Sequence, residues 1–258
     1  MRLGATELII LRAVIAMAAA TVGGLLGMGR SRVSHRVLCG LVSLAAGALL
    51  AVTVMHIVPE TVKMVGILPA AISLLAGTLV FMAIGKYVYV LCPACAASAT
   101  EHETGYVKLG ILLIVAMGIH STVDGLAITA GSATMSSVGM MILFAVSYHK
   151  VPEGMALTSV ARLAGYSRLK SLGITMLIEL TTALGALVGI LFLRGVNELV
   201  LGITLGVVAG SFIYTVGFAM LREMYEHEKG SIVLYALLGF ASMLALSALI
   251  GSLGIHSH

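Results

Sequence analysis

Charge is scarce in this chain. Asp, Glu, Lys and Arg make up only 10% of its 258 residues, against 60% hydrophobic. A soluble domain carries about 25% charged residues, so this chain cannot cover a water-facing surface, and a soluble protein is excluded. Strictly alternating apolar and polar residues are missing too, which excludes a transmembrane β-barrel. There is no low-complexity tract. There is no G-x-x-x-x-G-K-S/T loop for ATP coupling and no H-E-x-x-H for an intramembrane zinc protease. Aspartate occurs once, as Asp124, and cysteine three times, as Cys39, Cys92 and Cys95.

What fills the chain is long apolar runs. A span needs roughly 20 such residues, and eight runs qualify, near 6–28, 34–57, 67–91, 107–129, 134–160, 169–193, 199–222 and 230–255. Little sequence is left over. The expectation is an all-α integral membrane protein of eight transmembrane helices, with residues 1–258 forming a single transmembrane domain. The first run lacks a polar cleavage region and is read as a retained helix rather than a signal peptide.

The net charge of +4 reports topology, not nucleic-acid binding. The first, third, fifth and seventh connections hold ten of the fifteen Lys and Arg residues, among them Arg30, Arg32, Arg36, Arg162, Arg168 and Lys170. By the positive-inside rule those connections are cytoplasmic, so both termini face outward. The pair in "CPAC" (Cys92, Cys95) then lies on the reducing side, which argues against a structural disulfide.

Glycines recur every fourth residue at Gly202, Gly206 and Gly210 in span seven and at Gly185 and Gly189 in span six. That spacing lets helices approach closely in lipid, either inside one subunit or across a dimer. One internal echo is visible: "HIVPE" at 56–60 and "HKVPE" at 149–153 share H-x-V-P-E. It is weak evidence that His56 and Glu60 face the same pathway as the second copy.

The informative residues are the polar ones inside the spans. Span four reads "GIHSTVDGLAITAG", with His120 and Asp124 four apart and so on one helix face. Span five places His149 and Glu153 four apart as well, with Lys150 between them, and span six contributes Glu179. A charge at the bilayer centre costs about 2.5–3.5 kcal/mol, so six ionisable groups in three successive helices must face one another or a wet cavity. A lone intramembrane histidine is more often a structural hydrogen-bonder. Two His/acid pairs in adjacent spans suit a divalent transition metal instead, because imidazole nitrogen and carboxylate oxygen are ordinary ligands of zinc and its neighbours. Pro152 removes a backbone donor beside the pair. Lys150 reads either as a snorkelling residue or as a counter-ion to Glu179 or Asp124. Cys92, Cys95 and His102, in the longest connection, are either a metal exit path or a surface cluster. His227, His256 and His258 read as solvated surface groups, and the 15 methionines as packing residues.

These motifs resemble those of the ZIP metal transporters. "HSTVDG" at 120–125 is similar to their fourth-helix signature H-N-x-x-D-G. "HKVPEG" at 149–154 is similar to their fifth-helix signature: His, a variable polar residue, any residue, Pro, Glu or His, then Gly or Glu. "VVAGSFIYTVG" at 207–217 looks like their seventh helix. The compact form looks prokaryotic. The resemblance implies a divalent-cation transporter of the cell membrane, a prokaryotic inner membrane, that carries metal toward the cytoplasm and forms a homodimer. It places the metal on His120, His149 and Glu153, with Asp124 in or beside the site. It puts His56 near an outer pathway group, and has a bundle of helices one, four, five and six slide against the other four. Zinc is the expected cargo, with Fe2+, Mn2+, Cd2+ and Co2+ open, and no resident cofactor or enzymatic activity is implied. Many members bind a second metal, and here its ligand positions match Ser121, Lys150 and Thr182, with Glu179 one turn earlier. A charged lysine has three donors and no acceptor. The expectation is therefore a mononuclear site of His120, Asp124, His149, Glu153 and Glu179, in which the Lys150 ammonium stands in for the second ion. The rivals are a thiol oxidoreductase built on Cys92 and Cys95, which would tolerate loss of His149, and a non-transporting metal sensor, which the lack of a soluble output domain disfavours.

Overall fold

The computed structural model describes residues 4–29, 34–88, 106–134, 136–193, 195–217 and 229–252. Among them every regular element is helical: α1 (Ala5–Gly27), α2 (His35–Val52), a π-helical turn (Thr53–Ile57), α3 (Val58–Val65), α4 (Ile67–Val88), α5 (Tyr106–Ser132), α6 (Ser136–Leu163), α7 (Arg168–Leu193), α8 (Glu198–Tyr214) and α9 (Lys229–Ser252). The second span is one continuous rod built of α2, the π-turn and α3. Seven helical stretches are long and apolar enough to cross a membrane. The remaining long helix, α6, has 28 residues, about 42 Å at 1.5 Å per residue, and Tyr148, His149, Lys150, Pro152 and Glu153 make it more polar than the rest.

Most helices begin and end within a few residues of the expected runs. Span seven, expected to reach residue 222, is described only to Gly217, and span two, expected to stop at residue 57, continues to Val65. Pro59 has no N–H to give to the previous turn, and the chain widens just before it. The Val58 N–H reaches back five residues to the Thr53 carbonyl. The rod ends only at Gly66, whose φ of 82° and ψ of 169° are a conformation essentially restricted to glycine. His56 and Glu60 therefore lie inside the span rather than at its end.

Close helix crossings organise the bundle. In four of them a glycine on each helix lies against a backbone carbonyl of the other. Gly23 meets Val151 and Gly154 meets Ala20 between α1 and α6, while Gly125 meets Thr182 and Gly185 meets Thr122 between α5 and α7. Gly47 and Gly239 do the same for α2 and α9, and Gly77 and Gly210 for α4 and α8. A side chain at any of these positions would meet backbone, which cannot rotate away. The spaced glycines of spans six and seven all face neighbours within the chain: Gly185 and Gly189 meet α5, Gly202 meets α3, Gly206 meets Ser73 and Gly210 meets α4. Intrachain packing accounts for that spacing.

These contacts divide the chain into two groups of helices. One comprises α1, α5, α6 and α7, and the other α2 with α3, α4, α8 and α9. They meet mainly where α2 packs on α6 and α5 on α8. The main apolar core fills that seam with Leu49, Val52, Ile128, Ile142, Val146, Leu205 and Phe212, none more than 1% exposed.

Candidate metal centre

The site grows from three helix faces. On α5, His120, Ser121 and Asp124 lie along one side. On α6, His149, Lys150 and Glu153 share a face, as the four-residue spacing requires. On α7, Glu179 and Thr182 are one turn apart. All eight side chains are buried, none more than 7% exposed. The Gly125–Thr182 and Gly185–Thr122 contacts bring α7 onto α5, and so deliver Glu179 to Lys150. The Gly154–Ala20 contact packs α1 against the back of α6. Pro152 sits inside a continuous α6, leaving the Tyr148 carbonyl without its usual i+4 backbone donor.

His120, Asp124, His149 and Glu153 converge. One ligand atom from each lies within 4.8 Å of all the others. His149 Nε2 is 3.1 Å from Asp124 Oδ2 and 3.9 Å from Glu153 Oε2, and His120 Nε2 is 3.6 Å from Asp124 Oδ2. The tautomer of His149 follows from its other nitrogen. Nδ1 stands 2.9 Å from the Ala145 carbonyl, which only accepts, so Nδ1 carries the hydrogen. In the neutral ring Nε2 then offers a lone pair. That lone pair faces a carboxylate oxygen at 3.1 Å, and two acceptors at that distance need a cation or a proton between them. His120 Nε2 and Asp124 Oδ1 are likewise buried with no hydrogen-bond partner. Buried polar atoms are nearly always satisfied, so a cluster that leaves acceptors facing inward fits a bound cation.

Lys150 occupies the adjoining position. Its Nζ lies 2.9 Å from Glu179 Oε2, 3.0 Å from Asp124 Oδ2 and 3.0 Å from Glu153 Oε2. It also donates to Ser121 Oγ at 2.7 Å, and Ser121 in turn donates to Glu153 Oε1 at 3.1 Å. The side chain is wholly buried; of the two expected readings it is the counter-ion, not the snorkelling residue. Three carboxylates against one ammonium leave two formal negative charges when both histidines are neutral, which one divalent cation balances.

Glu179 stands apart from the four converging ligands and faces Lys150. Thr182 is fully buried one turn further along α7, its hydroxyl without a partner. His56 is half-buried in the π-turn. Glu60 is buried on α3, 3.8 Å from Lys63. Neither joins the cluster. Cys92, Cys95 and His102 lie outside the described residues. Two roles were not evident from spacing alone. Ser121 links Lys150 to Glu153, and Arg12 of α1 donates to Ser132 Oγ at 2.7 Å, tying α1 to the last turn of α5.

A helical membrane bundle with a buried site of two histidines and two carboxylates defines a membrane protein that handles divalent metal. A family model described as the ZIP zinc transporter matches residues 94–247, more than half of the chain and all four converging ligands. The chain belongs to the ZIP zinc transporter family. Membership implies divalent metal transport across a membrane, and the family's proteins are transporters rather than enzymes. A search of curated proteins returned no match.

Proposed function

We propose that this transporter carries zinc toward the cytoplasm, one ion at a time, on His120, Asp124, His149 and Glu153 at mid-membrane, with Lys150 in the place a second ion takes in binuclear relatives. The observation that carries the reading is His149: its Nδ1 is committed to the Ala145 carbonyl, so its free lone pair points at Asp124 inside a four-ligand cluster. The cargo enters past His56 and Glu60 and leaves by Cys92, Cys95 and His102. The protein works as a homodimer in a prokaryotic inner membrane. The group α1, α5, α6 and α7 carries the site as it slides against the other four spans. Glu179 serves the site through Lys150.

The test is zinc uptake by purified protein in proteoliposomes, with bound metal counted per chain. Wild type is expected to hold one ion per chain at the site. His149→Ala is expected to lose uptake by more than about ten-fold, because ligand loss exceeds the 10–100-fold cost of disturbing a ligand's supporting partners. Normal uptake by His149→Ala would make the cluster structural and leave the thiol chemistry of Cys92 and Cys95 as the better reading.

A further inference from the structure

We infer that Lys150 and Ser121 together set which divalent cations the site accepts, favouring ions satisfied by four ligands, such as Zn2+ and Co2+, over hard six-coordinate ions, such as Mn2+ and Mg2+. The inference rests on the single-metal reading of the site and specifies its substrate class.

The argument is one of coordination number and donor strength. The converging ligands number four, which is the tetrahedral complement of zinc. Magnesium demands near-octahedral surroundings, and manganese favours a six-oxygen set. Further ligands would have to come from the second oxygens of the carboxylates or from water beside them. Here that space is closed around Glu153 and beside Asp124 Oδ2, while Asp124 Oδ1 is the second oxygen left without a hydrogen bond. Lys150 Nζ stands 3.0 Å from Asp124 Oδ2 and 3.0 Å from Glu153 Oε2, the two oxygens that approach His149. The other Glu153 oxygen accepts from Ser121 Oγ at 3.1 Å. Bidentate binding by Glu153 would break that hydrogen bond, and a metal expanding its shell on this side would meet an ammonium.

Donor strength points the same way. A carboxylate oxygen already hydrogen-bonded to a cation gives less of its charge to a metal. The two imidazoles carry no such partner on their free nitrogens, so they become the stronger donors of the set. Imidazole suits zinc and its neighbours, while carboxylate and water suit magnesium, calcium and manganese. In Lys150→Gln the ammonium becomes a neutral amide whose oxygen is itself a ligand. That change opens the fifth and sixth positions and restores the carboxylates.

The experiment titrates Zn2+ and Mn2+ separately into the purified full-length protein and takes the ratio of the two affinities. Lys150→Gln is expected to narrow the ratio at least ten-fold, through tighter Mn2+ binding rather than weaker Zn2+ binding. Ser121→Ala keeps the lysine, frees Glu153 Oε1 and is expected to narrow the ratio a few-fold in the same direction. It is the milder change and carries the test if Lys150→Gln does not fold. A wild-type ratio in Ser121→Ala and in any folded Lys150→Gln overturns the inference, as does narrowing that comes only from lost Zn2+ binding. If wild type itself binds no zinc, or His149→Ala binds it normally, the single-metal reading has failed. If wild type binds one zinc lost in His149→Ala and the ratios stay fixed, only the role given to Lys150 and Ser121 is wrong.

Discussion

Replacing Lys150 by alanine should make the stability of this protein depend on metal. The ammonium is fully buried among three carboxylates at 2.9–3.0 Å. At about 3 Å and an effective dielectric of about 20, each contact represents about 5 kcal/mol of Coulomb attraction, largely offset by the cost of removing the charges from water. The usable magnitude is the cost of deleting one partner of a buried pair, about 3–5 kcal/mol, because the survivors are left uncompensated. For a chain of this size about 4 kcal/mol corresponds to a fall of roughly 8–16 °C in Tm. A divalent ion can take the place of the ammonium, and at a hundred times its Kd it adds about 2.7 kcal/mol. The assay is thermal unfolding of purified protein in detergent, with EDTA or with excess zinc. Lys150→Ala should melt well below wild type in EDTA and gain more from zinc than wild type does. If the variant matches wild type in EDTA, or if zinc raises both equally, the ammonium is not holding a cation's place and the reasoning fails.

Two further substitutions test the scaffold around the site. Gly125→Ala would put a methyl against the Thr182 carbonyl and 2.6 Å from Ala186 N, so α7 must move away, taking Glu179 from Lys150. A loss of about 1–3 kcal/mol is expected, read as a lower Tm together with weaker zinc binding. Gly118→Ala on the same helix has only the Thr181 methyl nearby, at 3.7 Å, and should change neither. Arg12→Met removes a buried cation from the C-terminal turn of α5, where the helix dipole favours positive charge. It should cost about 1–2 kcal/mol. A double-mutant cycle with Ser132→Ala should show the two losses to be non-additive, and additive losses would deny the contact.

Much of this architecture was legible in the sequence, because lipid is a strict solvent. Every backbone polar group in a span must be satisfied internally, so long apolar runs could only be helices. The cost of charge in lipid likewise required His120, Asp124, His149, Lys150, Glu153 and Glu179 to face inward together. The legible part ended where one pattern had two outcomes. H-x-V-P-E at 56–60 begins inside a π-turn, whereas the same pattern at 149–153 sits in an unbroken helix. The proline removes a hydrogen bond in both places, and the surrounding packing decides how the chain absorbs the loss. The bond between Ser121 and Glu153 was hidden for a related reason. Spacing places residues on a helix face but does not say which side chain of the next helix each one meets.

The grouping of the helices bears on how such a site can move. Ser121 and Asp124 ride on α5, Lys150 and Glu153 on α6, and Glu179 on α7, so every ion pair of the cluster closes within one group of helices. The crossings inside that group, α1 on α6 and α5 on α7, are locked by glycine against carbonyl, as are α2 on α9 and α4 on α8 inside the other. The seam with α2 and α8 is packed by aliphatic side chains and Phe212. Apolar contacts have no fixed direction and can be exchanged for others of the same kind at little cost. A buried ion pair cannot be parted so cheaply, because each half would be left uncompensated. A shift along the seam therefore leaves the costly interactions intact and trades only inexpensive ones. The arrangement is suited to carrying a charged cluster as a rigid unit.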